Sequence, residues 1–251
     1  MPETDSPQMS IIIPVYNDPE GIRSTLTSLT EQSRGGYEII PVDNDSTDDT
    51  AAVIDELESE FPDLISPTEE TETQGSYAAR NAGIEQSNGD ILAFIDSGIT
   101  VRPQWAENVL DEMNDRECDY LGYDVTLTTS ENPTIWERYE RAFSFPMDRY
   151  LREDNFTGAG ALVVRKQVIT EVGGFDSQIE SGGDREFGRR VHNAGFRQCF
   201  SDQIRSYHPA RKTREELTQK AKRIGRGHVQ LRRRSSDTHI AHPLHPFRFL
   251  P

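Results

Sequence analysis

The sequence predicts an α/β fold organised on a mostly parallel sheet, and three observations carry that reading. Short apolar runs alternate with segments of helical periodicity through the first half of the chain. The runs are rich in Ile and Val, as strands buried on both faces require. Helical segments follow them one by one, as they do when crossover helices join parallel strands. At 251 residues the chain can bury such a core as one large or two small domains.

Met9 to Val15 is a β-branched run and reads as the first strand. Asn17-Asp18-Pro19-Glu20 then starts a helix, with a capping side chain, Pro in the first turn and an acid near the positive end of the dipole. Ile22, Leu26 and Leu29 repeat at helical spacing through Gln32. Tyr37 to Asp43 is the next strand, and Ser46 is placed to cap a helix from about Thr47 to Phe61 that turns Val53, Ile54 and Leu57 inward. Leu64 to Pro67 is a weak strand signal. Gly75 to Gln86 reads as a helix, Asp90 to Asp96 as a strand, and Pro103 to Asn114 as a helix with Trp105, Val109, Leu110 and Met113 as its apolar stripe.

The second half changes character. Tyr120 to Thr128 reads as a strand, Thr134 to Phe145 as an amphipathic helix with Trp136, Tyr139 and Phe143, and Pro146 to Phe156 as a mobile connection. Gly158 to Ala161 leads into the strand residues Leu162-Val163-Val164, followed by a short helix from Lys166 and a turn at Gly173-Gly174-Phe175. A helix from Asp184 to Asn193 ends at Gly195. Phe196 to Phe200 and Arg205 to His208 are two short strand candidates, and Thr213 to Arg233 is a basic helix. A His/Pro-rich tail runs from His239 to Pro251.

In parallel sheets ligands bind beyond the carboxyl ends of the strands. Asn17, Asp43 and Asp96 each fall at such an end, so three polar or acidic side chains converge on one rim. Each alone would pass as a loop or cap residue; the set points to a binding site.

Composition narrows the setting. There are 27 Lys+Arg against 43 Asp+Glu, a formal net charge of −16, and no Lys before Lys166. An acidic, Lys-poor, Arg-rich surface stays hydrated where salt screens its self-repulsion, which suits a high-salt cytoplasm; an ordinary acidic soluble protein is the alternative. Residues 205 to 234 reverse the sign, with eleven Lys/Arg and two Glu. Cys118 and Cys199 sit in separate strand-like stretches and read as buried thiols rather than a disulfide framework. No apolar run approaches the length of a membrane span, and residues 1 to 10 lack the basic and apolar parts of a leader, so a cytoplasmic location is expected. The first strand is not followed by a Gly-x-Gly-x-x-Gly, and no Walker-type loop or Gly-x-Ser-x-Gly elbow occurs, which argues against dinucleotide oxidoreductases, P-loop ATPases and serine hydrolases.

Five ordered blocks carry a resemblance: Ile13-Pro14-Val15-Tyr16-Asn17, Val42-Asp43-Asn44-Asp45-Ser46, Ala79-Arg80-Asn81-Ala82-Gly83, Phe94-Ile95-Asp96-Ser97-Gly98 and Gly182-Gly183-Asp184-Arg185-Glu186-Phe187. From about Ser10 to His208 the chain resembles family 2 glycosyltransferases of the GT-A fold, in which a Rossmann-like nucleotide-binding half is fused to a smaller acceptor-binding α/β half. The resemblance implies a nucleotide-sugar-binding half at 1–117, an acceptor half with the catalytic base at 118–210, and a basic helix and tail at 211–251. It implies that Pro14, Tyr16, Asn17 and Asp43 hold the nucleotide, with Arg80, Asp96 and Ser97 also on the donor.

Gly98 is the main departure from the family's Asp-x-Asp motif. Two carboxylates normally hold the Mn or Mg ion that bridges the donor phosphates. Here either Asp96 holds the ion with the diphosphate, water and His208, or cationic side chains share its role; a loop histidine is an equal reading of His208. Asp184 takes the position of the general base, which removes the proton from an acceptor hydroxyl as that oxygen attacks the anomeric carbon, with inversion. Glu186, Arg190 and Gly158 fall on the acceptor side, where a surface ion pair and a strand bend are the simpler readings. The implied activity is transfer from a nucleotide diphosphate sugar to a glycan or lipid-linked acceptor in surface glycan or glycoprotein oligosaccharide assembly. Gly98 keeps a catalytically silent nucleotide- or glycan-binding domain in play, and a sugar-phosphate nucleotidyltransferase is a further rival that lacks its Gly-rich loop here. If Leu217, Ala221, Ile224 and Val229 share one face, residues 211–234 form an amphipathic helix able to meet an anionic membrane surface or a lipid-linked phosphate. Pairing of its arginines with the acidic body is the alternative, and nucleic acid is not an expected partner.

Overall fold

The computed structural model describes residues 6–143 and 145–234; the tail from His239 to Pro251 lies outside the described residues. Strand β1 (Met9–Val15) is buried along its whole length, so its side chains feed both faces of the sheet. Ile11 and Ile13 enter one core with helices α1 (Pro19–Thr30), α2 (Thr50–Glu60) and α4 (Trp105–Asp115). Ile12, one residue out of phase, enters the other with α3 (Ser76–Gln86), α8 (Gly183–Asn193) and Leu231 of α9 (Arg214–Arg234).

The remaining strands are β2 (Tyr37–Asp43), β3 (Thr68–Glu69), β4 (Ile91–Phe94), β5 (Thr100–Val101), β6 (Tyr120–Thr128), β7 (Leu162–Arg165) and β8 (Gln198–Pro209). One eight-stranded sheet joins them in the order β3-β2-β1-β4-β7-β6-β8-β5. Pairings among β3, β2, β1 and β4 are parallel, in the register Val15 opposite Asp43 and Ile12 opposite Phe94. β7 runs antiparallel between β4 and β6, and β8 returns parallel to β6. The carboxyl ends of β2, β1 and β4 therefore share one rim, and the turn entering β7 lies against the end of β4.

Several local expectations need correction. Ser46 does not cap α2: its Oγ accepts from the Asn17 backbone N–H at 2.9 Å, and the helix begins only at Thr50, after Asp48 has folded back on the Thr50 N–H. Leu64 to Pro67 forms no named strand; Ile65 makes a single bridge to Ile39, and pairing resumes at β3. The segment expected to be a mobile connection contains α6 (Met147–Asp154), which buries Met147 and Leu151 one turn apart and lays two i,i+4 ion pairs outside. The two strand candidates near the end are one strand, β8, with a bulge that lets β6 pair with both Ser201 and Arg205. On α9, Leu217 and Ile224 are partly covered while Ala221 and Val229 are exposed; helical spacing sets 217, 221 and 224 on one face and Val229 roughly a third of a turn away.

Cys118 and Cys199 are joined as a disulfide, with Cα atoms 6.1 Å apart. The parallel pairing of β6 with β8 brings the two positions together across 81 residues, a proximity that separate strand-like stretches do not announce.

Candidate active site

The loops after β1 and β2 are laced into one floor. The Thr47 N–H donates to Asn17 Oδ1 at 2.8 Å, the Asn44 N–H to the Val15 carbonyl at 2.9 Å, and the Ser46 N–H to Asp43 Oδ1 at 3.2 Å. Asn17 and Asp45 both adopt left-handed backbone, a conformation that Asn and Asp tolerate better than most residues. Pro14 and Asp43 are buried beneath this floor, whereas Tyr16 stands 51% exposed above it. An exposed aromatic ring beside a buried carboxylate is suited to a heterocyclic base.

Asp96 follows β4 at the centre of the rim. Its Oδ1 accepts from Arg80 Nη2, and Arg80 is buried on α3 with its guanidinium 5.5 Å from the Tyr77 ring and 5.8 Å from the Phe175 ring. Arg80 Nε has no hydrogen-bond partner among the described residues. Ser97 Oγ donates to Asp18 Oδ2 at 2.8 Å, and Asp18 Oδ1 caps α1 through the Gly21 N–H. Gly98 has φ +84°, a backbone that suits glycine, and its N–H donates to Thr25 Oγ1 at 3.0 Å. Asp18 was not singled out by sequence reasoning; the 2.8 Å contact with Ser97 fixes the turn in which the second motif carboxylate is missing.

A single 3-10 turn, Ala159–Ala161, separates Asp96 from Asp184. A Cβ on Gly160 would meet Asp96 Oδ2 at 2.7 Å, and one on Gly158 would lie 4.0 Å from Asp184 Oδ2. Asp184 opens α8, where the Arg185 N–H donates to its Oδ1 at 2.9 Å and the Tyr77 hydroxyl lies 3.4 Å from the same oxygen. Protein atoms enclose this carboxylate on most sides while its residue keeps partial exposure. Burial pushes its pKa above that of an ordinary aspartate; the Arg185 and Ala159 N–H groups and the Arg80 charge oppose the shift, and the nearby Asp96 charge adds to it.

The other expected residues occupy the periphery. Arg190 binds Glu186 at 2.6 Å and donates to the carbonyls of residues 172, 173 and 174, fastening the first turns of α8 to the Gly173-Gly174 turn. His208 Nδ1 lies 2.7 Å from the Pro209 carbonyl, which can only accept, so Nδ1 carries the proton and Nε2 the lone pair. Burial lowers the His208 pKa, and the Asp96 charge works in the opposite direction. Tyr77 is the residue that sequence reasoning missed entirely. It packs on Phe175, supports Arg80 and touches Asp184, and its position two residues before the Ala79-Arg80 block gave no sign of these contacts.

Asp96, held by the buried Arg80, and Asp184, at the N-terminus of α8, both approach the short turn Ala159–Ala161, Asp96 at Gly160 and Asp184 beside Gly158. The family model described as Glycosyl transferase family 2 matches residues 10–173. The chain belongs to this family. Glycosyltransferase AglE of Haloferax volcanii is 36% identical over 227 residues, covering 90% of this chain and 74% of the relative. A pre-mycofactocin glycosyltransferase of Mycobacterium tuberculosis is 31% identical over 198 residues; the match takes in 75% of this chain but 40% of that longer protein. Among solved structures, the mannosyltransferase PcManGT of Pyrobaculum calidifontis, in complex with GDP-Man and Mn2+, superposes with a TM-score of 0.68 at 19% identity, over 97% of this chain and 68% of that one. The 1–349 fragment of S. aureus TarS with UDP-GlcNAc gives 0.65 at 16% identity, over 89% and 66%. The fold is thus GT-A and the protein is a glycosyltransferase; the silent-domain and nucleotidyltransferase alternatives are not favoured.

Among the described residues no helix is long and apolar enough to cross a membrane.

Proposed function

We propose that this family 2 enzyme moves a sugar, with inversion, from a nucleoside diphosphate sugar to a hydroxyl of a glycan or lipid-linked acceptor. The observation that carries the reading is the placement of Asp96 and Asp184 on either side of the Ala159–Ala161 turn. The base of the donor lies on Tyr16 and Asn17 over Pro14 and Asp43. Its diphosphate faces Arg80, Asp96 and Ser97, where Arg80 supplies charge and the orphaned Nε. The sugar then projects over Gly160 toward Asp184. Solved neighbours in complex with GDP-Man and UDP-GlcNAc support a nucleotide-sugar donor without choosing between bases.

The donor set fits a divalent ion with few protein ligands. No group of three or more His, Cys, Asp or Glu gathers among the described residues. Asp96 Oδ2, turned away from the Arg80 contact, and His208 Nε2 would supply the protein ligands, with phosphate oxygens and water completing the shell. Such an ion, Mn or Mg, stabilises charge on the departing nucleoside diphosphate. The Mn2+ in the PcManGT complex supports this assignment.

Asp184 accepts the proton of the acceptor hydroxyl as that oxygen bonds to the anomeric carbon and the bond to the diphosphate breaks on the opposite face. Gly158, packed against Met147 with a Cβ position 4.0 Å from Asp184 Oδ2, lies on the acceptor side of the base. Glu186 and Arg190 hold the α8 turn that aims the base. Surface glycan or glycoprotein oligosaccharide assembly, a high-salt cytoplasm, and contact of residues 211–234 with the inner face of a membrane complete the proposal; the net charge of −16 and the basic segment support the last two.

The test is transfer from a panel of nucleotide sugars to glycan and polyprenyl-phosphate-linked acceptors, with the anomeric configuration of the product read by NMR. An inverted product is expected. A retained configuration would remove Asp184 from the role of base, and nucleotidyl transfer in place of glycosyl transfer would overturn the reading.

A further inference from the structure

Helix α5 (Ile135–Phe143) presents an apolar face that the transfer chemistry does not use. Ile135, Trp136, Tyr139 and Phe143 are exposed by 72, 36, 57 and 54%, and the Tyr139 and Phe143 rings lie 5.1 Å apart. The helix inverts the usual arrangement, because its buried residues are its two acids. Glu137 accepts from the Ser130 and Thr134 N–H groups, while Glu140, fully buried, is bound by Arg211 at 2.6 Å and Lys220 at 2.8 Å. With both carboxylates turned inward, the only charges this helix shows to solvent are Arg138 and Arg141.

Charge decides what covers this face. The protein as a whole carries −16, and a face that turns its own carboxylates inward and shows arginines is complementary to a negatively charged partner. Here aromatic side chains sit among arginines beside the one basic stretch of the chain: Thr134 Oγ1 donates to the Lys212 carbonyl at 3.1 Å, placing exposed Lys212 and Arg214 next to the first turn of α5. Trp and Tyr with flanking Arg and Lys are the groups that settle at the headgroup level of a bilayer. Helix α9 itself is less suited to insertion, since Arg226 is paired with Glu180 and Val229 is its one large exposed apolar side chain among the described residues.

We propose that the outward face of α5, with Arg138, Arg141, Lys212 and Arg214, docks the protein on an anionic lipid bilayer, the helix lying in the headgroup plane. The face leads to the cleft: Phe145 lies 4.5 Å from Lys220 Nζ and 6.1 Å from the His208 ring. If the acceptor is lipid-linked, as the reading above holds, docking through α5 brings its head group to the His208 side of the site; the docking itself does not depend on that reading.

The experiment is flotation of the full chain with vesicles of phosphatidylglycerol and phosphatidylcholine, and with phosphatidylcholine alone, beside tryptophan emission. Trp105 is 2% exposed, so a blue shift on adding vesicles reports Trp136. The native protein is expected to float with the anionic vesicles and to shift. Replacing Trp136, Tyr139 and Phe143 by Ser should cut partitioning about a hundredfold, and Arg138→Glu with Arg141→Glu should abolish the preference for anionic lipid. Failure of the native protein to bind, equal binding by the triple-Ser variant, or a native dimer that the triple variant dissociates would each overturn the proposal. Turnover with a water-soluble acceptor, measured in parallel, separates the two readings: vesicle binding without any glycosyl transfer removes the transfer reading and leaves docking standing, and the converse removes docking alone.

Discussion

Gly160 and Asp96 are in contact that only a missing side chain permits: a Cβ at position 160 would stand 2.7 Å from Asp96 Oδ2. The Ala159–Ala161 turn and the donor-side carboxylate therefore set each other's position. Gly160→Ala is expected to push the Asp96 carboxylate aside and disturb its pairing with Arg80. Nucleoside diphosphate binding should weaken by roughly tenfold, the size of losing one charge-assisted contact. The melting temperature should move little, because the displaced group is the mobile end of a partly exposed side chain. Calorimetry and thermal unfolding together check this; unchanged donor affinity would count against it.

Asp184→Asn is expected to lower kcat by about two to four orders of magnitude while leaving the Kd for the nucleoside diphosphate unchanged. Asparagine keeps the size of the side chain and cannot take the proton. A parallel loss of donor affinity would show that Asp184 shapes the donor site instead.

The pH dependence follows from the same residue. Burial raises the Asp184 pKa, and the base must be ionised, so the acid limb of kcat should lie at higher pH than an ordinary aspartate would give. The Asp96 charge contributes to that rise, so Asp96→Asn should move the limb toward lower pH in whatever turnover remains. A limb that stays in place would mean that another group limits the profile.

Glu140 is the structural counterpart. Burial alone would raise its pKa, but Lys220 and Arg211 outweigh burial and hold it below the usual carboxylate value. A depressed carboxylate contributes stability above its unfolded pKa and loses it as pH falls through the folded value. Glu140→Gln leaves two cations facing a neutral amide in a closed site, and should cost about 3–5 kcal/mol of unfolding free energy at neutral pH. Chemical denaturation checks the size. The difference from the native protein should shrink in acid, where the native carboxyl is also neutral.

The parallel part of the sheet was legible in the sequence because β1, β2 and the helices between them obey local rules: apolar runs, a capped helix start and helical spacing. The ends of β6 were equally clear. What the sequence withheld depends on partners distant along the chain. Ser46 reads as a cap until Asn17 takes its hydroxyl, α6 hides in eight residues whose buried face is only Met147 and Leu151, and β8 looks like two strands until its bulge is paired with β6. For the site, the acids at strand ends announced Asp43 and Asp96, and the resemblance pointed to Asp184. Tyr77 was silent, Asp18 read only as part of a helix start and Gly160 only as a close backbone approach or a strand bend, because each acts through a contact with a side chain remote in sequence, as the 107 positions between Tyr77 and Asp184 illustrate. The α5 aromatics signalled amphipathicity correctly, but not which face would be inside, because burying Glu137 and Glu140 requires hydrogen-bond and ion partners that periodicity cannot see.

The central claim is that one carboxylate, Asp96, with Arg80 suffices for the donor where Gly98 removes the second. Calorimetric titration of UDP, GDP, CDP and dTDP into the native protein and into Asp96→Ala, in molar KCl with and without Mn2+ or Mg2+, tests it most directly. Metal-dependent binding of one of these nucleotides to the native protein is expected, weakened at least about tenfold in the variant. Binding that is indifferent to Asp96, or no binding of any of the four under either condition, would contradict it.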